Sequence, residues 1–286
     1  MITNKENVRT WLEKMKISNY TINEDLTVDV AGSVYLRNKN LFKIPVQFGV
    51  VDGDFDISKN YLKSLKGSPH TVRDFYCTDN ELKTLEFGPD RVNRGYNCSH
   101  NQIETFEFLP SILKDSLSCD HNKLKSFKGL EKFNELYTLF ASHNELGSLE
   151  YSPPNITYAL HVNDNQLTDL NHLPEKLKVL LCGNNALTPE CLKAIPENLV
   201  AFECAGTQIS ADDLLEMKFD PSARISFSPS GFAKDFQLDE TRYGTVVTVD
   251  AEVFEKARLK ARIEKKISMI NATENDTLSQ ASKNKL

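Results

Sequence analysis

Short runs in which apolar and polar residues alternate recur along most of this chain, and an asparagine follows most of them at a fixed offset. Phe75-Tyr76-Cys77, Leu139-Phe140-Ala141 and Leu180-Leu181-Cys182 open three of them. Successive side chains of a strand point to opposite faces, so the alternation sends one set inward and leaves the other on an open face. The frame runs through Ile57-Ser58-Lys59-Asn60-Tyr61-Leu62, Cys77-Thr78-Asp79-Asn80-Glu81-Leu82, Cys98-Ser99-His100-Asn101-Gln102-Ile103 and Cys119-Asp120-His121-Asn122-Lys123-Leu124. It continues through Ala141-Ser142-His143-Asn144-Glu145-Leu146, Val162-Asn163-Asp164-Asn165-Gln166-Leu167 and Cys182-Gly183-Asn184-Asn185-Ala186-Leu187, with weaker copies starting at Leu36 and Cys204. Nine copies follow one another at steps of 20 to 22 residues. A period of that size marks stacked repeats, none of which can bury its apolar face alone.

The spacing predicts one short strand per repeat and a parallel sheet. Each asparagine side chain is expected inside, bonding backbone groups of adjoining turns that strand pairing leaves unsatisfied. A second apolar pair per repeat (Leu82/Leu85, Ile103/Phe106, Leu124/Phe127, Leu146/Leu149, Leu167/Leu170) fills the opposite wall. The return limbs are too short for a full helix and hold Pro45, Pro69, Pro89, Pro110, Pro153, Pro154, Pro174 and Pro196. Proline fixes φ and disfavours helix in the residue before it, so these limbs are expected to be extended or polyproline-like.

The run Leu160-His161-Val162-Asn163-Asp164-Asn165-Gln166-Leu167 resembles the bacterial-type leucine-rich repeats of type III secreted effectors from enteric pathogens. With Trp11-Leu12-Glu13-Lys14-Met15 and Leu26-Thr27-Val28-Asp29-Val30, the chain also resembles leucine-rich-repeat proteins encoded by tailed bacteriophages. The resemblance spans roughly residues 7 to 210. It implies an α/β repeat solenoid, a curved horseshoe with a parallel concave sheet, and a role in protein–protein interaction. Such effectors often carry a C-terminal ubiquitin-ligase domain with a catalytic cysteine; no cysteine follows Cys204 here.

Solenoids need caps. Thr3-Asn4-Lys5-Glu6 has the form of a capping box, and Val8, Trp11, Leu12 and Met15 make a helical stripe, so residues 1–32 are expected to be a helix–strand cap with Trp11 as a core anchor. About nine repeats occupy 33–210, and 211–249 forms a C-terminal cap or linker in which Arg224 to Phe227 and Thr245 to Val249 are strands. Asp250 begins an amphipathic basic helix over 250–270, with Leu259, Ile263, Ile267 and Ile270 on one side. Residues 271–286, rich in Asn, Ser, Thr and Lys, are expected to be disordered.

Totals narrow the function. The 286 residues carry a formal net charge of -6, which speaks against nucleic acid as the main partner. No apolar run approaches the ~20 residues needed to span a bilayer, and the N-terminus lacks the apolar core of a secretory signal. A cytoplasmic location with six reduced cysteines is therefore expected. Cys77, Cys98, Cys119, Cys182 and Cys204 share one inward repeat position that Ala141, Val162 and Ile57 fill elsewhere, so they read as small core residues. Cys191 has no His or Asp arrangement near it in the repeat frame, glycine-rich phosphate loops are absent, and no catalytic residue or cofactor is expected.

Two constellations remain. His100, His121 and His143 precede the asparagine in three consecutive repeats and should form a row, with Asp79 and Asp164 in the same column. Readings as a hydrogen-bonding partner surface, as a metal site and as an accident of register stay open. The outward strand positions read Tyr35, Asp56, Tyr76, Asn97, Ser118, Phe140, His161, Leu181 and Glu203. Tyr76, Phe140 and Leu181 have no core to fill, and exposed aromatics beside polar residues anchor protein interfaces. Asp54, Asp56, Asp74, Asp79 and Glu81 make the N-terminal half acidic, which favours a partner with a basic patch. A non-enzymatic module that holds a protein on the concave face is thus expected, with attachment or self-association through the C-terminal helix as the alternative.

Overall fold

The computed structural model describes residues 1–220, 222–228, 239–241 and 244–283. From Thr27–Val30 to Arg224–Phe227, successive core strands lie side by side in chain order, each parallel to the one before. Register is kept across the stack: Phe55 pairs with Phe75, Phe75 with Tyr96, Tyr96 with Leu117, Leu117 with Leu139, and Leu139 with Leu160. These residues are fully buried and form the inner spine of a parallel β-solenoid of about nine turns. A second ladder, which alternation alone does not reveal, pairs Val51, Val72, Val92 and Leu113 just upstream.

The asparagines are where the repeat places them. Each of seven, at 60, 80, 101, 122, 144, 165 and 185, accepts an N–H from the preceding repeat and donates to carbonyls of both repeats. For Asn144 the acceptor contact is Leu124 N–H at 3.0 Å and the donor contacts are Cys119 O at 3.0 Å and Ala141 O at 3.2 Å. One side chain thereby stitches two turns where the backbone leaves the sheet. Return limbs are extended or turn-like, apart from 3-10 turns at Pro189–Ala194 and Asp213–Glu216. Gly67 closes one limb at a φ of +103°, where an added Cβ would lie 2.6 Å from Val46 O.

At the N-terminus, α1 (Lys5–Lys14) buries Val8 and Leu12, and Trp11 meets Phe48 edge-on with ring centroids 6.4 Å apart. Its N-cap is Asn4, which accepts from Asn7 N–H, not Thr3; Glu6 pairs with Arg9 instead of reaching back, so the capping box does not form. Tyr20–Ile22 closes the sheet edge by antiparallel pairing with Thr27–Val30.

At the other end, Gly244–Asp250 runs antiparallel to Arg224–Phe227 and to Asp239–Thr241. Of the stretch read as a cap or linker, residues 221, 229–238 and 242–243 lie outside the described residues, as do 284–286. α2 (Ala251–Lys283) follows directly, running past the boundary expected at 270 into the stretch expected to be disordered. Ala272, Glu274, Leu278, Gln280 and Ala281 are all helix formers, and neither Pro nor Gly interrupts them. The side packed on the body carries Ala251 and Phe254, so the Leu259/Ile263/Ile267 side faces away.

Candidate functional site

Strand register assembles the outward residues into one column. Tyr35 pairs with Asp56, Asp56 with Tyr76, Tyr76 with Asn97, Asn97 with Ser118, Ser118 with Phe140, Phe140 with His161, His161 with Leu181, and Leu181 with Glu203. Tyr35 is exposed and the rest are half-buried. Flanking positions are small, with Thr138 and Ala159 buried on one side and Ser99 and Ser142 on the other, so the larger side chains of the column stand above their neighbours.

Charge along the column is less lopsided than the sequence implies. Arg73 bridges Asp54 at 2.7 Å and Asp74 at 3.4 Å, Arg94 reaches Asp74 at 3.8 Å, Arg37 reaches Asp56 at 3.9 Å, and Lys63 reaches Glu81 at 3.5 Å. Four of the five carboxylates that suggested a basic partner, Asp54, Asp56, Asp74 and Glu81, thus have a basic side chain within 4 Å, in each case one from an adjoining repeat. Burial and the nearby Asp74 and Asp54 carboxylates push the Tyr76 phenol above its ordinary value.

The centre of the face is uncharged. Phe140 meets His161 edge-on, with ring centroids 4.6 Å apart, and burial pushes His161 down to about 4, leaving it neutral at pH 7. The same two strands, Leu136–Phe140 and Ile156–His161, carry Tyr137 and Tyr158. Their rings stack 5.0 Å apart, nearly parallel, and are 50% and 42% exposed. Strict alternation from Phe140 would turn Tyr137 inward, but Thr138 and Leu139 are buried in succession, so the alternation breaks between them and Tyr137 emerges. Backbone bonds from Arg94 to Arg73, Asp115 to Arg94, Tyr137 to Asp115 and Lys178 to Tyr158 show a whole column along this margin of the sheet. The signal available in the sequence was the pair of aromatics in register, 21 residues apart, each three residues before an outward ring.

The histidine row exists. His100, His121 and His143 stack with centroids 4.3 and 4.0 Å apart, and His143 Nε2 lies 3.6 Å from Asp164 Oδ2. Interplanar angles of 15° and 12° set the rings face to face, so their nitrogens lie side by side rather than converging on a point. Among the described residues no cluster of three His, Cys, Asp or Glu side chains could hold a metal ion. A backbone demand accounts for the column: Asn38, Lys59, Asp79, His100, His121, His143, Asp164 and Asn184 all have φ between 52° and 55°, and Gly206 follows at 72°. Asn, Asp and His are the non-glycine residues most enriched in that left-handed region.

All six cysteines are buried and unpaired. Burial raises the thiols of Cys77, Cys98, Cys119, Cys182 and Cys204, and Cys98, Cys119 and Cys182 point at carbonyls of the next strand. Such thiols pack and do not react. A half-open cavity of about 740 Å³ on the return-limb side is walled by Glu104, Lys123, Lys125, Lys128, Glu131 and Glu145, with Lys125 and Glu145 paired at 3.8 Å.

No family model and no curated protein matches the chain. Among solved structures, the APL1 leucine-rich repeat domain is similar at 15% identity and a TM-score of 0.42, over 65% of this chain and 60% of that one. YopM from Yersinia enterocolitica WA-314 is similar at 17% identity and a TM-score of 0.27, over 68% of this chain and 63% of that one. The chain thus spans less than two thirds of either. Period, asparagine ladder and parallel register together make this protein a parallel β-solenoid of leucine-rich-repeat type.

Proposed function

We propose that the chain recognises a partner protein on its open sheet face, through an uncharged aromatic centre of Phe140, His161 and Leu181 flanked by Tyr137 and Tyr158. One observation carries this reading: two exposed stacked tyrosines lie on the strands of a half-buried, neutral Phe–His pair, on a face where no packing need explains them. Rigid aromatics bury large area at low entropic cost, which is why they dominate binding energy at interfaces. Tyr35, Asp56, Tyr76, Asn97, His100, His121 and His143 form the polar remainder of the surface. We read the partner as a protein of a host or competing cell and the outcome as restraint of its activity, a reading that rests on the phage and effector resemblance. Six unpaired thiols support a reducing, cytoplasmic setting.

Affinity capture from the source cells, with the intact chain as bait, tests this. Tyr137→Ala/Phe140→Ala should weaken the captured interaction at least ~10-fold, the size expected for truncating two anchors. Equal capture by both baits would sink the proposal, provided the variant melts like the parent.

A further inference from the structure

The C-terminal half of the sheet face carries a stripe with almost no hydrogen-bonding groups. Thr138, Ala159, Val179 and Ala201 lie in register across four neighbouring strands, and Phe140, His161 and Leu181 lie in register beside them. At a strand spacing of about 4.8 Å the stripe is ~14 Å long. None of these side chains is charged at pH 7, because burial holds His161 neutral. Charged side chains resume at the rim, with Asp115 and Lys178 on either side of the tyrosine pair and Glu203 beyond Leu181.

Hydrogen bonding limits what can lie on that stripe. The N–H and C=O groups of these strands already pair with one another, and of the outward side chains only Thr138, itself buried, and His161 are polar. An extended segment or a loop pressed there would take its own backbone groups out of water and find almost no partners. An α-helix bonds its backbone internally and offers side chains alone. Its pitch of about 5.4 Å nearly matches the strand spacing, so a helix laid across the strands sets one turn on each. Tyr137 and Tyr158, stacked across two of the same strands, make a ledge along its flank. The uncharged stripe meets the apolar side of such a helix, and the rim, with charges of both signs, meets its polar sides. Taking the sheet face as the recognition surface, we propose that the partner docks there through an amphipathic α-helix of about three turns, with uncharged apolar residues at i, i+3 or i+4 and i+7 against Phe140, His161 and Leu181.

A display library of random peptides of about 18 residues, long enough for the helix and its ends, is panned on the full chain and in parallel on Tyr137→Ala/Phe140→Ala. Tyr137→Ala/Tyr158→Ala, which truncates only exposed rings, takes its place if that variant melts early. Peptides enriched on the parent and lost on the variant should carry the helical apolar spacing and gain helical circular dichroism on binding. A proline at a central polar position of a synthetic copy should weaken binding at least ~10-fold, while alanine at the same position leaves it unchanged. Sheet-dependent peptides that lack the spacing, or that tolerate the proline, overturn the helix and leave the sheet-face reading standing. Enriched peptides that all bind the variant as tightly as the parent overturn both. A library that yields no binder at all also overturns the helix.

Discussion

Replacing Asn122 by Ala removes one acceptor and one forked donor from the middle of the stack. Ile103 N–H donates to Asn122 Oδ1 at 2.9 Å, a buried bond. The Asn122 amide donates to Cys98 O at 3.1 Å, Cys119 O at 3.0 Å and Asp120 O at 3.2 Å. After truncation Cys98 O keeps Asn101 and Cys119 O keeps Asn144, so those carbonyls are weakened but not orphaned. The Ile103 N–H has no such substitute. An unsatisfied buried donor costs about 1–3 kcal/mol and the lost carbonyl bonds about 1 more, which gives roughly 2–4 kcal/mol for Asn122→Ala. Asn122→Asp separates the mechanism from mere volume, since it keeps the acceptor, loses the donors and puts a carboxylate against three carbonyl oxygens. At pH 7 it should cost at least as much as Ala. Its deficit should shrink on acidification: burial raises the folded pKa of the acid above its unfolded value, so stability is lost as pH rises through the folded value. Urea unfolding followed by far-UV circular dichroism measures all three proteins, with exposed Lys123→Ala as a neighbouring control. A loss below ~1 kcal/mol for Asn122→Ala, or an Asp variant as stable as wild type at pH 7, would refute the ladder's structural role.

Two further outcomes follow from single side chains. His161, pushed down to about 4 from 6.5 by burial, should titrate far below an ordinary histidine in an NMR pH series. The unfolded chain takes up that proton before the folded one, so wild type should lose stability from pH 6.5 toward 4 more steeply than His161→Phe; a midpoint near 6.5 would remove the desolvation argument. The buried hydroxyl of Tyr96 finds no nitrogen or oxygen partner among the described residues and faces the Cys77 thiol. Tyr96→Phe should therefore alter stability by less than ~0.5 kcal/mol or improve it, and a loss above ~1.5 kcal/mol in urea melts would mean that the hydroxyl is well bonded.

The inward half of this molecule was legible because burial and period act together. A core position such as Leu139 or Cys119 recurs in every repeat, and the asparagines are marked by identity as well as spacing. The outward half obeys weaker rules. Alternation missed Tyr137 because Thr138 and Leu139 are buried in succession, which reverses the side chains that emerge upstream of them. The histidines drew a chemical reading because a left-handed φ leaves no trace in a sequence except a preference for Asn, Asp, His and Gly, visible only when the whole column from Asn38 to Gly206 is read together. Acidity on the face was overread because Arg73 and Arg94 sit on the sheet margin, and only strand register brings them to Asp54 and Asp74. α2 was recognisable as a helix, but which side it buries depends on Phe254 meeting Phe219 and Phe227.

Hydroxyl-radical footprinting of the chain, free and bound to the protein it captures, addresses recognition most directly because the label reports side-chain exposure. Protection of Tyr137, Phe140, Tyr158 and His161 on binding, with Phe87, Phe108 and Tyr151 of the return limbs remaining reactive, is the expected result. Protection confined to those return limbs, with the four sheet side chains labelled as in the free chain, would place the partner on the opposite side and contradict the account.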